Sequence, residues 1–365
     1  MISHELAASE PRAVPRIEYA RLLPDALAAP LPPDVLAAIV FGRGTRGSPT
    51  GRAHSSAPDA RSPDPRVIHV GLDPLGSADL VEVWRAAGTV RTGSDGPVRF
   101  AADQEHLAGC IELDEREHAG LAVAAESAYA TILRFQARSR YPHLLRVWNY
   151  FDAINAGEGD EERYKQFCIG RAAAFGAAAS RPAAHSARSP GARPPTHRDR
   201  FPAATAIGRR DGSHVLQIFW LAARAPGAAL ENPRQMSAYR YPREYGPASP
   251  TFSRAMLVPP GLLLLSGTAS IVGHASRHRG SLRDQLDETL ANLASVLERA
   301  AAIEPALPRR LSAQARLKLY LRDGSSADLA AAYLTERLPQ GAQCLMLEAD
   351  ICRAELLVEL DCAHT

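Results

Sequence analysis

Residues 281–302, SLRDQLDETLANLASVLERAAA, can bury only one side. Leu282, Leu286, Leu290, Leu293 and Leu297 recur at helical spacing, and Ser281 stands where an N-cap belongs. An amphipathic helix of this length needs an apolar partner surface. The flanking segments supply one as short apolar strands. MLVPPGLLLLSGTASIV (256–272) reads as one or two buried strands around a turn at Pro259, Pro260 and Gly261. ARLKLYLRD (315–323) reads as a strand and SADLAAAYLTERL (326–338) as a helix. CLMLEADIC (344–352) and AELLVELDC (354–362) read as strands. The resulting order β-β-α-β-α-β-β predicts an α+β fold, with mixed sheets and helices packed on one face.

The 365 residues suffice for two domains. Before the second of two loop-like stretches, RVIHVGL (66–72), CIELD (110–114) and LLRVWNYF (144–151) read as strands and 118–139 as a helix; after it, HVLQIFWLAA (214–223) reads as a strand that opens the C-terminal half. Two stretches rich in Pro, Ser, Ala, Gly and Arg, 43–66 and 177–200, read as solvated loops. The expected division is 1–200, carrying both loops, and 201–365.

A formal charge of +2 gives no field for nucleic acid. The odd set of cysteines without a C-x-x-C pair fits free thiols. The N-terminal residues contain no continuous apolar run of the signal-peptide kind, and no run is long enough for a membrane span, so the expected location is cytoplasmic. No P-loop, G-x-G-x-x-G or G-x-S-x-G is present. His274 and His278 are four apart, but Gly273 and Gly280 flank them and no carboxylate stands at ligand spacing. A polar loop is the expected reading, and no metal is expected.

Residues 231–255, ENPRQMSAYRYPREYGPASPTFSRA, hold four arginines, three tyrosines and four prolines. Guanidinium forks match carboxylates, tyrosines add hydroxyl donors, and prolines stiffen the loop. RVWNYFDAINAGEGDEERYKQFCIGR (146–171) repeats the mixture. It admits two readings: a helix start over a polar pocket, or buried Trp148 and Tyr150 with surface charges. Together the two segments suggest a site for a small anion with more than one carboxylate.

The blocks RVWNYFDAIN, ERYKQFCIGR, ENPRQMSAYRYPREYGPASPTFSRA, SGTASIVGHAS and ADICRAELLVELD, in this order, resemble the bacterial chorismatases, which remove pyruvate from chorismate. The resemblance implies two RidA/YjgF-like domains, chorismate as substrate and no cofactor. Monomer and homotrimer both remain open. It implies Arg146 and Arg254 as carboxylate contacts with Tyr239 in support, then Arg234 and Tyr241. It makes Glu359 the general acid, with Glu348 as the second choice; an exposed edge glutamate is the competing reading. Cys352 matches a branch-point that is cysteine in 3-hydroxybenzoate-forming members. Ala269 matches a second pocket position, and there alanine is more like the hydrolytic members. Following Cys352, the expected products are pyruvate and 3-hydroxybenzoate, alone or with 4-hydroxybenzoate. The alternatives are the hydrolytic chorismatase, giving a dihydroxycyclohexadiene acid, and a non-catalytic RidA-like binder of an aromatic acid or pteridine.

Overall fold

The computed structural model describes residues 14–21, 30–42, 64–76, 80–180 and 201–365. The two basic stretches 43–66 and 177–200 fall largely outside them. β1 (Arg16–Arg21), β2 (Val35–Phe41), β3 (Val67–Val70) and β4 (Leu80–Arg85) form a small sheet in the order β1-β4-β2-β3. β5 (Arg91–Asp95), β6 (Val98–Ala102), β7 (His106–Asp114), α1 (Leu121–Arg138), β8 (His143–Asp152), α2 (Arg163–Ala179), β9 (Ala203–Arg209) and β10 (Val215–Ala223) follow. Then come β11 (Ala228–Leu230), β12 (Ala255–Val258), β13 (Leu262–Ala269), β14 (Ile271–Val272), β15 (Ala275–Ser276) and α3 (Leu282–Ala301). β16 (Arg316–Leu321), α4 (Ala327–Arg337), β17 (Gln343–Glu348), β18 (Asp350–Ile351) and β19 (Val358–His364) complete the chain.

Two larger mixed sheets result, β18-β9-β8-β10-β7-β6-β5 and β11-β12-β13-β19-β16-β17. Each carries a helix pair on one face, the architecture expected of the fold class, twice over. On the first, Tyr129, Ile132 and Phe167 pack on Val147, Phe151, Ile218 and Trp220. On the second, Leu286, Leu293 and Leu297 pack on Leu263, Leu317, Leu319 and Leu360. Each such leucine contributes ~1.5–3 kcal/mol of burial. Ser281 caps α3, its side chain accepting from the Asp284 amide. The helix-free faces meet through Trp148, Tyr150, Phe219, Leu264 and Tyr320, and the small sheet joins this core through Ile39 and Trp84.

Sheet pairing moves the expected boundary. β9 runs parallel to β8, and β10 pairs antiparallel with β7 and β8, so residues 203–223 belong to the N-terminal sheet. The stretch around 177–200 lies within the β8–α2–β9 crossover that parallel pairing requires, and is not a linker between domains. The division between sheets falls between Ala223 and Ala228. β18 crosses back, pairing Ile351 with Ile207 of the first sheet. Trp148 and Tyr150 are buried on β8, so the second reading of 146–171 holds for them, while 163–171 opens α2. α2 sits so close to α1 that a Cβ on Gly170 would lie 2.0 Å from the Ala122 carbonyl oxygen. All five cysteines are free. Among the described residues no helix is long and apolar enough to cross a membrane.

Candidate active site

Strand alternation sorts β19. Val358, Leu360 and Cys362 join the core under α3 and α4, so Glu359 and Asp361 turn toward the other sheet. Glu359 lies opposite Ala269 of β13 and Tyr320 of β16. β13 breaks register between Leu265 and Thr268, which sets Gly267 beside the acid. A Cβ on Gly267 would fall 1.8 Å from Glu359 Oε1. The glutamate is 4% exposed. Burial pushes its carboxyl up to about 8; the Asp361 charge pushes the same way, and Arg146 and Arg254 oppose. Cys352 Sγ stands 4.0 Å from Glu359 Oε2. Burial and that carboxyl push the thiol well above its ordinary range, so it is a neutral SH.

These groups line a cavity of about 290 Å³ between the two sheets. Arg254, just before β12, donates from Nη2 to the Met236 carbonyl and the Tyr241 hydroxyl, at 2.8 and 2.7 Å. Its buried Nε has no partner. Arg171 enters from α2, 3% exposed, with its guanidinium 4.8 Å from the Tyr129 ring centroid. Its Nε and Nη2 are both unpaired. Thr251 Oγ1 and Asn155 Nδ2, on the same cavity, are also buried without partners. Leaving buried donors unpaired costs ~1–3 kcal/mol each, more when charged. A cavity that gathers four such residues is built for an acceptor-rich ligand. At the mouth, Arg353 lies 4.0 Å over Tyr245 and 5.3 Å over Tyr241, and donates to the His274 carbonyl at 2.8 Å.

Of the residues expected from sequence, Glu359, Cys352, Arg254, Tyr241 and Ala269 line this cavity. Arg146, Tyr239 and Arg234 do not. Arg146 is 1% exposed in the core between the sheets. It bonds the Val147 carbonyl and Thr205 Oγ1, pairs with Asp361 at 3.3 Å and stacks on Trp148. It reaches the cavity only through Thr205, whose Oγ1 also accepts from the Gly267 amide. Arg234 is held on the surface by Asn292 and Glu288. Tyr239 packs its ring against Phe201. The second-choice acid Glu348 pairs with exposed Arg210, away from the cavity. His278 faces Glu288, and His274 faces Tyr245 and Glu244, in the polar loop expected for them.

Sequence reasoning missed Arg171, Thr205, Gly267 and Arg353. Arg171 left a readable signal: it shares the buried face of α2 with Phe167, Cys168 and Ala174, where an arginine is out of place unless it serves a pocket.

A chorismatase from Streptomyces rapamycinicus is 35% identical over 291 residues, covering 77% of this chain and 81% of that protein. The chain belongs to the chorismatase family. A 3-hydroxybenzoate synthase from Streptomyces hygroscopicus is 32% identical, over 77% and 80% of the two chains. A chorismatase crystal structure superposes with a TM-score of 0.75 at 28% identity, over 96% of this chain and 98% of that one. The family model described as "Chorismatase FkbO/Hyg5-like, N-terminal" matches residues 82–222. That match stops at the end of β10, where the sheets divide. The chorismatase cavity takes Arg171 and Thr205 from before this point, and Arg254, Gly267, Cys352 and Glu359 from after it.

Proposed function

We propose that this enzyme cleaves chorismate, releasing pyruvate and 3-hydroxybenzoate, with Glu359 as general acid. The observation that carries the reading is a glutamate buried in a cavity that also holds unpaired buried donor atoms of Arg171, Arg254, Thr251 and Asn155. Chorismate brings two carboxylates and an enol ether. Arg254 and Arg171 suit its carboxylates, each offering guanidinium N–H groups that no protein acceptor uses. Glu359 gives its proton to the terminal methylene, and the positive charge forms on the ether-bearing carbon. The neighbouring ring hydroxyl of the substrate then attacks the ring carbon that bears the ether, whose C–O electron pair passes to the oxygen and releases pyruvate. The hydroxyl proton returns to the Glu359 carboxylate, and loss of the ring proton from that carbon with opening of the new ring at its other C–O bond gives 3-hydroxybenzoate. Chorismate has the atoms of pyruvate plus hydroxybenzoate with nothing added, whereas the hydrolytic route consumes one water.

Cys352, neutral and 4.0 Å from the acid, is suited to steer attack within the substrate by its volume and weak S–H donor. Ala269, across the strand pair from Glu359, leaves room on the other side. Cys352→Ala is expected to raise the share of dihydroxycyclohexadiene acid, or of 4-hydroxybenzoate, among the products; chromatography reads the ratio.

Arg171→Met removes a cation without emptying its space. Loss of a charged hydrogen bond of ~1.5–3 kcal/mol should raise KM by roughly 10- to 100-fold, with a smaller effect on kcat. The deciding experiment is incubation with chorismate, with pyruvate read through lactate dehydrogenase and the second product by chromatography. Release of pyruvate with an aromatic acid supports the reading. A non-aromatic diene acid replaces the product assignment with the hydrolytic one, and no pyruvate at all leaves a binding protein.

A further inference from the structure

Behind the cavity wall lies a buried charge array that the proposed chemistry does not touch. Asp361 Oδ2 accepts from Trp148 Nε1 at 3.0 Å, Tyr320 OH at 3.0 Å and Thr205 Oγ1 at 3.3 Å, and Arg146 stands 3.3 Å away. Its Oδ1 faces Lys318 at 3.4 Å. Lys318 lies closer to Glu82 of β4, at 2.6 Å, and Glu82 also accepts from Trp84 Nε1 at 2.8 Å. Glu82, Arg146, Lys318 and Asp361 are each 1–3% exposed. Such arrays are weak stabilisers, since desolvation offsets the attraction and apolar replacements often do as well. The chain has only two lysines, Lys165 and Lys318. Using one of the two here, in a chain whose cations are nearly all arginine, points to a compact charge that a guanidinium fork would not replace.

Thr205 connects the array to the cavity. Its Oγ1 accepts from Arg146 and from the Gly267 amide, and donates to Asp361. Gly267 lies under the Glu359 carboxyl, and Asp361 is the next residue on the same face of β19. The groups facing Glu359 are Asp361 on its own strand, Arg146 from β8, Arg254 from the segment before β12, Cys352 after β18, and Tyr164 from α2.

We propose that Asp361 and Arg146 are opposed positioning residues that set the protonation of Glu359 from behind the cavity, with Lys318 and Glu82 bracing them. This rests on Glu359 being the acid, as proposed above. The negative charge of Asp361 favours the neutral acid and the positive charge of Arg146 favours the carboxylate. Removing one or the other must therefore move the titration in opposite directions, which a merely structural pair would not do.

The test is a carbon-13 titration of labelled glutamate carboxyls in the full chain, with Glu359→Gln assigning the signal, beside the pH profile of pyruvate release. In Asp361→Asn the Glu359 titration, and with it the alkaline limb, should fall by roughly one pH unit. In Arg146→Gln both should rise, with KM for chorismate unchanged. Asp361 keeps Trp148, Tyr320, Thr205 and Lys318 in that variant, so it can be read even if Asp361→Asn does not fold. An unmoved signal, or two shifts of the same sign, overturns the proposal; so does a raised KM in Arg146→Gln with a fixed alkaline limb, which would make Arg146 a substrate contact. Because the carboxyl titration needs no turnover, it judges this inference even if chorismate proves not to be the substrate.

Discussion

Glu359→Gln is expected to lower chorismate turnover by at least ~100-fold while leaving the chain folded and KM little changed. General acid catalysis contributes ~10²–10⁴-fold, and an amide in the same space cannot deliver the proton. The wild-type enzyme should be active while Glu359 holds its proton, and lose activity as pH rises through about 8. The stability change has its own sign. In the unfolded chain this carboxyl ionises near an ordinary glutamate value; in the folded chain it does so near 8. Between those values the folded state binds the extra proton, so stability falls as pH rises across that window. The glutamine variant lacks that slope and should be at least as stable as wild type at pH 8. Pyruvate release against pH and thermal melts at pH 5 and pH 8 check both halves. Near-normal turnover in the variant would remove Glu359 from the chemistry.

Gly267→Ala should be nearly as damaging to activity and far less so to the fold. The new methyl would sit 1.8 Å from Glu359 Oε1 and 3.2 Å from Thr205 Cγ2. The first is the far end of a flexible side chain, so the protein accommodates the methyl by turning the carboxyl aside. A displacement of about 1 Å at a reacting group costs on the order of 100-fold. The expected result is a melting temperature within a few degrees of wild type with kcat reduced ~100-fold. A variant that keeps its rate would show that the carboxyl does not act from this position.

Much of the fold was legible because its signals are local. The leucine stripe of 282–297 and the Ser281 cap report α3 directly, and the turn at Pro259–Gly261 separates β12 from β13. The acid role proposed for Glu359 came with the family resemblance, and its burial was legible as one of two readings of a carboxyl inside LLVELD. Arg146 was not: a strand states which residues share a face, but which partner covers that face depends on how two sheets meet. Here the inward face of β8 meets Asp361, 215 residues along the chain, and the arginine is spent on that pair. Arg234 and Tyr239 sit in the same short segment as Tyr241 and Arg254, yet Arg234 is drawn to Asn292 and Glu288 of α3 and the Tyr239 ring packs on Phe201. The boundary failed for a related reason. Composition marks 177–200 as unlike its surroundings, but only parallel pairing of β8 with β9 reveals that the chain returns to the sheet it left.

The place where the chain leaves one sheet for the other has a practical meaning. A gene cut within residues 224–227 would encode two polypeptides, each with its own helix pair and, β18 apart, its own layer of strands. One would own Arg171 and Thr205, the other Arg254, Gly267, Cys352 and Glu359, and β18 of the second would still seek the open edge of β9 in the first. Neither fragment holds a whole cavity, so pyruvate formed on mixing them would be a direct readout of complementation.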